Sequence, residues 1–328
     1  MSPRTISTAA SLTVLPDPPK PPTPIGLIAG GGQLPIAVAR GLRDAGHAVH
    51  GLGLSRQFDR DLPRMCTTFR EVGLVRIGSW TRALRSLDVH HAVMVGYVDK
   101  AKLMHDPWRL IKNIPDVRTA LTWYRHLRHD RRSHALLNAI ACELDRDGVS
   151  LIDSTYPIPD QMAVAGLMTQ KRPTLAQTAD IEFIWPILND MLRLDIGQSI
   201  AVRDRDVVAV EAVEGTDRMI ERAGRLCKAR GWTLCKGARV GHDRRSDVPT
   251  VGLRTIEKLY ENGGRCLAVS AGNVIMLERE RMVDAADRLG VSIIGVPVVC
   301  ENLTAVLNGV PEVLLREPKT AVATPTMR

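Results

Sequence analysis

The feature that most constrains the fold lies near the start of the chain. An apolar run, Ile25–Ala29, ends in three consecutive glycines, Gly30, Gly31 and Gly32. Apolar residues at helical spacing follow at once, Leu34, Val38 and Leu42, closed by Gly46, and then a second apolar run over 47–54. Strand, glycine turn, helix and strand in that order open a βαβ unit. Its strands must be parallel, because the helix carries the chain back to the edge where it started. The pattern continues with a short strand over 71–77, a helix near 81–87, a strand over 91–95 ending at Gly96, helices over 119–127 and 134–147, and a strand over 149–153. Such alternation predicts a parallel sheet covered on both faces.

At 328 residues the chain has room for a second core, since a domain commonly takes about 150 residues. The stretch 154–177 carries Pro157, Pro159 and Pro173 without apolar periodicity and reads as the break. A second pattern follows: a helix over 181–194, strands over 199–202 and 207–213 forming a hairpin at 204–206, and a helix over 216–229 with Thr216 as its N-cap. Strands over 266–269 and 292–296 flank a helix over 280–289. The expected class is α/β in two domains, a Rossmann-like parallel sheet over 25–154 and a C-terminal α/β domain over 155–314. Residues 1–24 hold Pro16, Pro18, Pro19, Pro21, Pro22 and Pro24 and read as a disordered leader, and 315–328 as a flexible tail.

Composition excludes several classes. Hydrophobic residues at 45% and charged residues at 24% fit neither a disordered nor a fibrous chain. No apolar run reaches the roughly 18 residues of a membrane span, and the N-terminus lacks the apolar region of a secretory signal. The six cysteines form no CxxC pair, which argues against a zinc knuckle and fits buried thiols in a reducing cytoplasm. The net charge of +8 comes mostly from arginine, whose fork suits phosphate. Nucleic acid, an anionic membrane surface and a phosphorylated small molecule all remain open on that ground. The cluster from Arg125 to His134 reads foremost as a solvated helix face, with an anionic lipid surface as the functional alternative. Beyond Trp123 and Tyr124 it has no stacking aromatics, which weakens a nucleic-acid reading.

Glycines between a strand and a helix let backbone N–H groups approach a phosphate at the helix start. Gly30, Gly31 and Gly32 could serve so, or could simply form a tight turn; the run is neither GxGxxG nor a P-loop. The richest stretch is 236–252, which sets Asp243 and Asp247 among Lys236, Arg239, His242, Arg244 and Arg245. Little of it is periodic, so it reads as a long loop, uncommon in a compact domain unless functional. Its acids can hold a divalent ion and its cations can neutralise phosphate oxygens; an exposed salt-bridged loop is the plain alternative. Glu214, Gly215, Thr216 and Asp217 lie between a strand and a helix, where α/β domains gather ligands.

Together these words resemble one family, the bacterial UDP-2,3-diacylglucosamine pyrophosphatases of lipid A biosynthesis that are unrelated to calcineurin-like phosphoesterases. The matching pieces are GLIAGGGQLP from Gly26, LDIGQ from Leu194, VEGTDRM from Val213, RRSDVPTVG from Arg244, SAGN from Ser270 and LERERMVDAADRLGVSIIGV from Leu277. They keep their order and spacing over about residues 25–300.

The resemblance implies a two-domain cytoplasmic hydrolase that splits its substrate into UMP and 2,3-diacylglucosamine 1-phosphate with a divalent cation, usually Mg2+. It makes Asp247 the leading catalytic or metal-binding residue, with Arg245 and Lys236 beside it in catalysis and Asp217 and Asp243 as further metal ligands. Gly30, Gly31, Gly32, Gln33, Gln198 and Asn273 become the candidate substrate contacts. A homodimer and peripheral contact with the inner membrane are expected, and nucleic acid is not. The chain departs from the family pattern at Tyr97, His134, His242 and Ser270, which points to altered contacts in the N-terminal domain. A non-catalytic nucleotide-sugar or lipid binder is the alternative from another class. A dehydrogenase is disfavoured by the missing GxGxxG.

Overall fold

The computed structural model describes residues 15–55, 57–98, 133–239, 241–245, 248–297 and 303–307. The leader up to residue 14, the tail over 315–328, the helix expected over 119–127, the cluster up to Arg132 and Asp247 all lie outside the described residues. The described residues make two compact units. Those up to Asp160 and those of the stretch Gly241–Val248 form one; those between Gln161 and Val240 and from Pro249 onward form the other.

The first unit runs β1 (Ile25–Ala29), α1 (Leu34–Asp44), β2 (Val49–Leu54), the short α2 (Leu62–Met65), β3 (Thr68–Val72), α3 (Ile77–Arg85), β4 (His91–Val95), α4 (Ser133–Arg146) and β5 (Ser150–Leu151). Its five strands lie in the order β3-β2-β1-β4-β5, all parallel. β1 is buried along its whole length, as a central parallel strand with helices on both faces must be. Against one face pack Trp80, Ala83 and Leu84 of α3 and Ala141 and Leu144 of α4, meeting Ile28, Leu52, Ala92 and Met94. On α1 the buried residues are Pro35, Ile36, Val38, Ala39 and Leu42, the stripe that the helical spacing predicts.

Two expected elements are displaced. The strand expected over 71–77 lies at Thr68–Val72, and Ile77 begins α3. Gly73 ends the strand, its carbonyl accepts the Trp80 indole N–H at 2.8 Å, and Ile77 joins Trp80 and Leu84 in the core. The strand expected over 149–153 shortens to Ser150–Leu151. The Asp153 carboxylate instead accepts the Thr155 N–H at 2.8 Å and its hydroxyl at 2.7 Å, turning the chain.

The second unit opens with a single turn at Pro159–Gln161 that straddles the division, then β6 (Gly166–Leu167), α5 (Leu175–Arg193), β7 (Ser199–Arg203), β8 (Asp206–Val210), α6 (Thr216–Leu226) and β9 (Trp232–Lys236). It continues with β10 (Thr250–Val251), α7 (Leu253–Glu261), β11 (Gly264–Ser270), β12 (Ile275–Met276), α8 (Arg279–Leu289), β13 (Ser292–Val296) and α9 (Leu303–Leu307). The six-stranded sheet has the order β6-β13-β11-β9-β7-β8, with β13, β11 and β9 parallel and antiparallel strands at both sides. Period-two alternation sorts its side chains. Ile200, Val202, Cys235, Cys266 and Ala268 meet α5, while Ala201, Leu234, Leu267 and Val269 meet α6, α7 and α8.

β9 and α7 were not legible in the sequence. α5 also begins six residues earlier than its apolar run, because Thr174 and Gln177 form a capping box. Thr216 is not the N-cap of α6. Gly215, at φ +83°, takes that place, and Thr216 is the first helical residue.

Candidate active site

In the first unit the order of strands places β2 on one side of β1 and β4 on the other. The edge outside the carboxyl ends of β1 and β4 is therefore a topological switch point, where such sheets bind ligands. The glycine run leaves β1 there. However, the Gly30 amide donates to Val95 O at 2.9 Å and the Gly31 amide to Tyr97 O at 2.8 Å, while the Tyr97 amide donates back to Gly31 O at 3.1 Å. Two of the three glycine N–H groups thus tie the loop to the end of β4. Close approach explains the residue type: a β-carbon on Gly30 would stand 2.6 Å from the Tyr97 carbonyl oxygen. The Tyr97 ring lies against Gly31 and Gly32 and is 67% exposed, forming an aromatic floor at this edge. Gln33 donates its side-chain amide to Asp59 at 2.8 Å.

The same unit holds Asp243, Arg244 and Arg245. The Arg244 carbonyl accepts the Ser154 N–H at 2.9 Å and its hydroxyl at 2.7 Å, which fastens the segment behind β5. Arg245 forks onto Asp243 through Nε at 2.9 and 3.0 Å and Nη2 at 2.6 Å, and Nη2 also donates to Asn138 at 3.2 Å. Both side chains are nearly buried, at 14% and 13% exposure. The Asp243 carboxylate holds the guanidinium above its already high ordinary pKa, against the opposing effect of burial. The two residues that the sequence cast as phosphate contact and metal ligand are therefore engaged with each other.

In the second unit, one edge of the sheet collects most of the remaining candidates. β9 ends there at Lys236 and β11 at Ser270, and antiparallel β7 begins there at Ser199, opposite Lys236. Gln198 immediately precedes β7, and its carbonyl accepts the Gly237 amide at 3.0 Å. Asn273 sits in the turn after β11, donating its side-chain amide to Ala271 O at 3.0 Å. β8 leaves at the same edge and delivers the N-terminus of α6. Lys236 is only 4% exposed. Its Nζ donates to Thr216 Oγ1 at 2.6 Å, and Thr216 Oγ1 in turn donates to Glu211 Oε1 at 3.0 Å. Sequence reasoning missed Glu211, which hides at the end of an apolar strand; a lone acid in that position is its only signal. Glu214 accepts from Arg222 at 2.5 Å. Its own backbone N–H foremost, and then Arg222, hold its carboxyl below the ordinary carboxylate value.

Asp217, on the first turn of α6, faces Arg254 Nε at 3.1 Å across an exposed bridge. Among the described residues no three His, Cys, Asp or Glu side chains gather into a metal cage. Asp217 lies at an accessible helix end, tied to a solvent-exposed guanidinium.

Comparison with known proteins decides the family. The model of the LpxI N-terminal domain matches residues 24–161, and that of the LpxI C-terminal domain matches residues 164–294. A curated relative, UDP-2,3-diacylglucosamine pyrophosphatase LpxI of Caulobacter vibrioides, is 31% identical over 283 residues, spanning 83% of this chain and 97% of that protein. The chain belongs to the LpxI family. The two LpxI domain matches meet near the division between the compact units, with the stretch Gly241–Val248 lying within the C-terminal match yet packing in the first unit. Among solved structures, N5-carboxyaminoimidazole synthetase from Staphylococcus aureus is similar at 13% identity and a TM-score of 0.22, covering 65% of this chain and 52% of that one, a likeness too slight to carry an argument.

Proposed function

We propose that this LpxI family member hydrolyses the pyrophosphate bond of UDP-2,3-diacylglucosamine, releasing UMP and 2,3-diacylglucosamine 1-phosphate in lipid A biosynthesis, with Mg2+ as the divalent cation. The observation that carries this reading is the match along both domains to a relative named for that activity. The geometry of the second unit supports it. A buried lysine and the N-terminus of an eleven-residue helix meet at the sheet edge where strands end, and both favour phosphate oxygens. Lys236 would neutralise charge that builds on the phosphoryl group and its leaving oxygen. Asp247, the leading metal-binding residue that the family resemblance names, would hold the cation. When bound, such an ion polarises phosphoryl oxygens and acidifies a water. Arg245 enters the mechanism through Asp243 and Asn138, by holding the chain that leads to Asp247. A lipid substrate is drawn from a bilayer face, so peripheral contact with the inner membrane belongs to the same reading; no helix among the described residues is long and apolar enough to cross a membrane.

The test is incubation with UDP-2,3-diacylglucosamine, following UMP, with Mg2+ or with a chelator. UMP release that stops on chelation and falls sharply in Asp247→Ala supports the proposal. Binding without hydrolysis under any divalent ion would replace it with the non-catalytic binder. Turnover that persists in chelator would remove the metal from it.

A further inference from the structure

We propose that Glu211 is a positioning residue, which fixes the Lys236 ammonium through the hydroxyl of Thr216. This rests on the reading that Lys236 meets a phosphoryl oxygen of the substrate. Glu211 directly follows β8 and is 8% exposed. Its backbone is pinned, with its amide donating to Ser199 O at 2.9 Å. Gly197 approaches so closely that a β-carbon there would lie 2.0 Å from the Glu211 carbonyl oxygen. From this fixed point Oε1 accepts the Thr216 hydroxyl at 3.0 Å, and Thr216 Oγ1 accepts Lys236 Nζ at 2.6 Å.

The order of donors matters. A hydroxyl has one proton and two lone pairs, and its rotor turns to suit its partners. An ionised carboxylate can only accept, so it claims the proton of Thr216 and turns the lone pairs toward the ammonium. Without Glu211 the hydroxyl can turn its proton elsewhere, and Nζ loses a fixed acceptor. Charge works in the same direction. A buried ammonium is costly unless compensated, and Glu211 places a carboxylate one hydroxyl away. Its second oxygen, Oε2, is buried without a hydrogen-bond partner among the described residues. That is a cost which the fold alone does not require, since an apolar residue would fill the position without it. Glu214, two residues before α6 begins, is held by Arg222 and takes no part in the relay.

The experiment is a double-mutant cycle on the full chain, using single-turnover UMP release. Glu211→Ala and Thr216→Val each interrupt the relay, at its end and at its middle, so that one folded variant suffices. Each is expected to lower the rate about tenfold or more with a far smaller change in KM, the pattern of a contact strengthened in the transition state. In a Lys236→Ala background either change should add less than about twofold, because the group it positions is gone. The same cycle read on inorganic pyrophosphate affinity serves where the rate is too slow to measure. Full additive losses in the Lys236→Ala background would overturn the proposal, since a merely structural role would be felt with or without the lysine. No UMP release from the unaltered chain would overturn the proposed function and this inference with it. Turnover by the unaltered chain together with additive losses would overturn this inference alone.

Discussion

Arg245→Ala is the sharpest test of how the segment Gly241–Val248 is held in the first unit. The guanidinium makes three contacts to Asp243 between 2.6 and 3.0 Å and one to Asn138 at 3.2 Å. At 14% and 13% exposure the pair is close to buried. Deleting one partner of a buried pair costs about 3–5 kcal/mol, and the residual exposure argues for the lower end, about 3 kcal/mol. The loss should fall on local opening of the segment, because the sheet core does not depend on this pair. By the tenfold-per-1.4 kcal/mol relation, opening becomes roughly a hundredfold more frequent. Hydrogen exchange reads it directly. The amide of Ser154, which donates to Arg244 O, and the amide at position 245, which donates to Asp243 Oδ1, should lose protection. Amides of β4, such as that of Val93, should not. Arg245→Lys keeps the charge but loses the fork and should fall between. Asp247 stands two residues further on, so turnover should fall about tenfold or more with the loosened segment. Exchange at Ser154 rising less than about threefold, or equal loosening throughout the sheet, would refute the reasoning.

Other outcomes follow from the same structure. Gly41→Ala places a β-carbon 1.9 Å from the Pro157 carbonyl oxygen; the clash outweighs the gain in helix propensity, for a net loss of about 2 kcal/mol and a melting temperature lower by about 4–8 °C in a thermal scan. Burial pushes the Cys66 and Cys266 thiols up to about 11, so at pH 8 only about a thousandth of either is thiolate. A disulfide reagent should therefore label exposed Cys142 well before Cys66 or Cys266, as peptide mass mapping would show. Glu214 has a folded pKa below its ordinary 4.5. Its pairing therefore contributes stability that is fully present above that value and is lost as pH falls through the lowered one. Denaturant titrations of Glu214→Gln should accordingly differ from the unaltered chain near neutral pH and converge with it under acid.

Local pattern was enough to find much of the first unit. The apolar period and the glycines placed β1, α1, β2 and β4, because a parallel strand buried on both faces and an amphipathic helix each leave a signature within ten residues. Boundaries that depend on a distant partner were less visible. Gly73 ends β3 with the help of Trp80, and the start of α5 depends on a polar box that carries no apolar signal. β9 carries no local signature, because Trp232, Thr233, Leu234, Cys235 and Lys236 mix residue types that only a sheet interior explains.

The sequence by itself determined the family and the inventory of chemistry: the glycine run, the acids and cations of 236–252, and the Glu-Gly-Thr-Asp word at the start of α6. Only the tertiary structure decided how those residues are used. Lys236 and Arg245 look like neighbours on one loop, yet they belong to different compact units. Arg245 is engaged with Asp243, and Lys236 points instead to Thr216, twenty residues earlier in the chain. Glu211 acquired its role only when the antiparallel pairing of β7 with β8 brought it to the edge where β9 ends. Residue types and short spacings fix what a side chain can do; hydrogen-bond partners across a sheet decide which of those capacities remain available, and they are set by strand order rather than by sequence proximity.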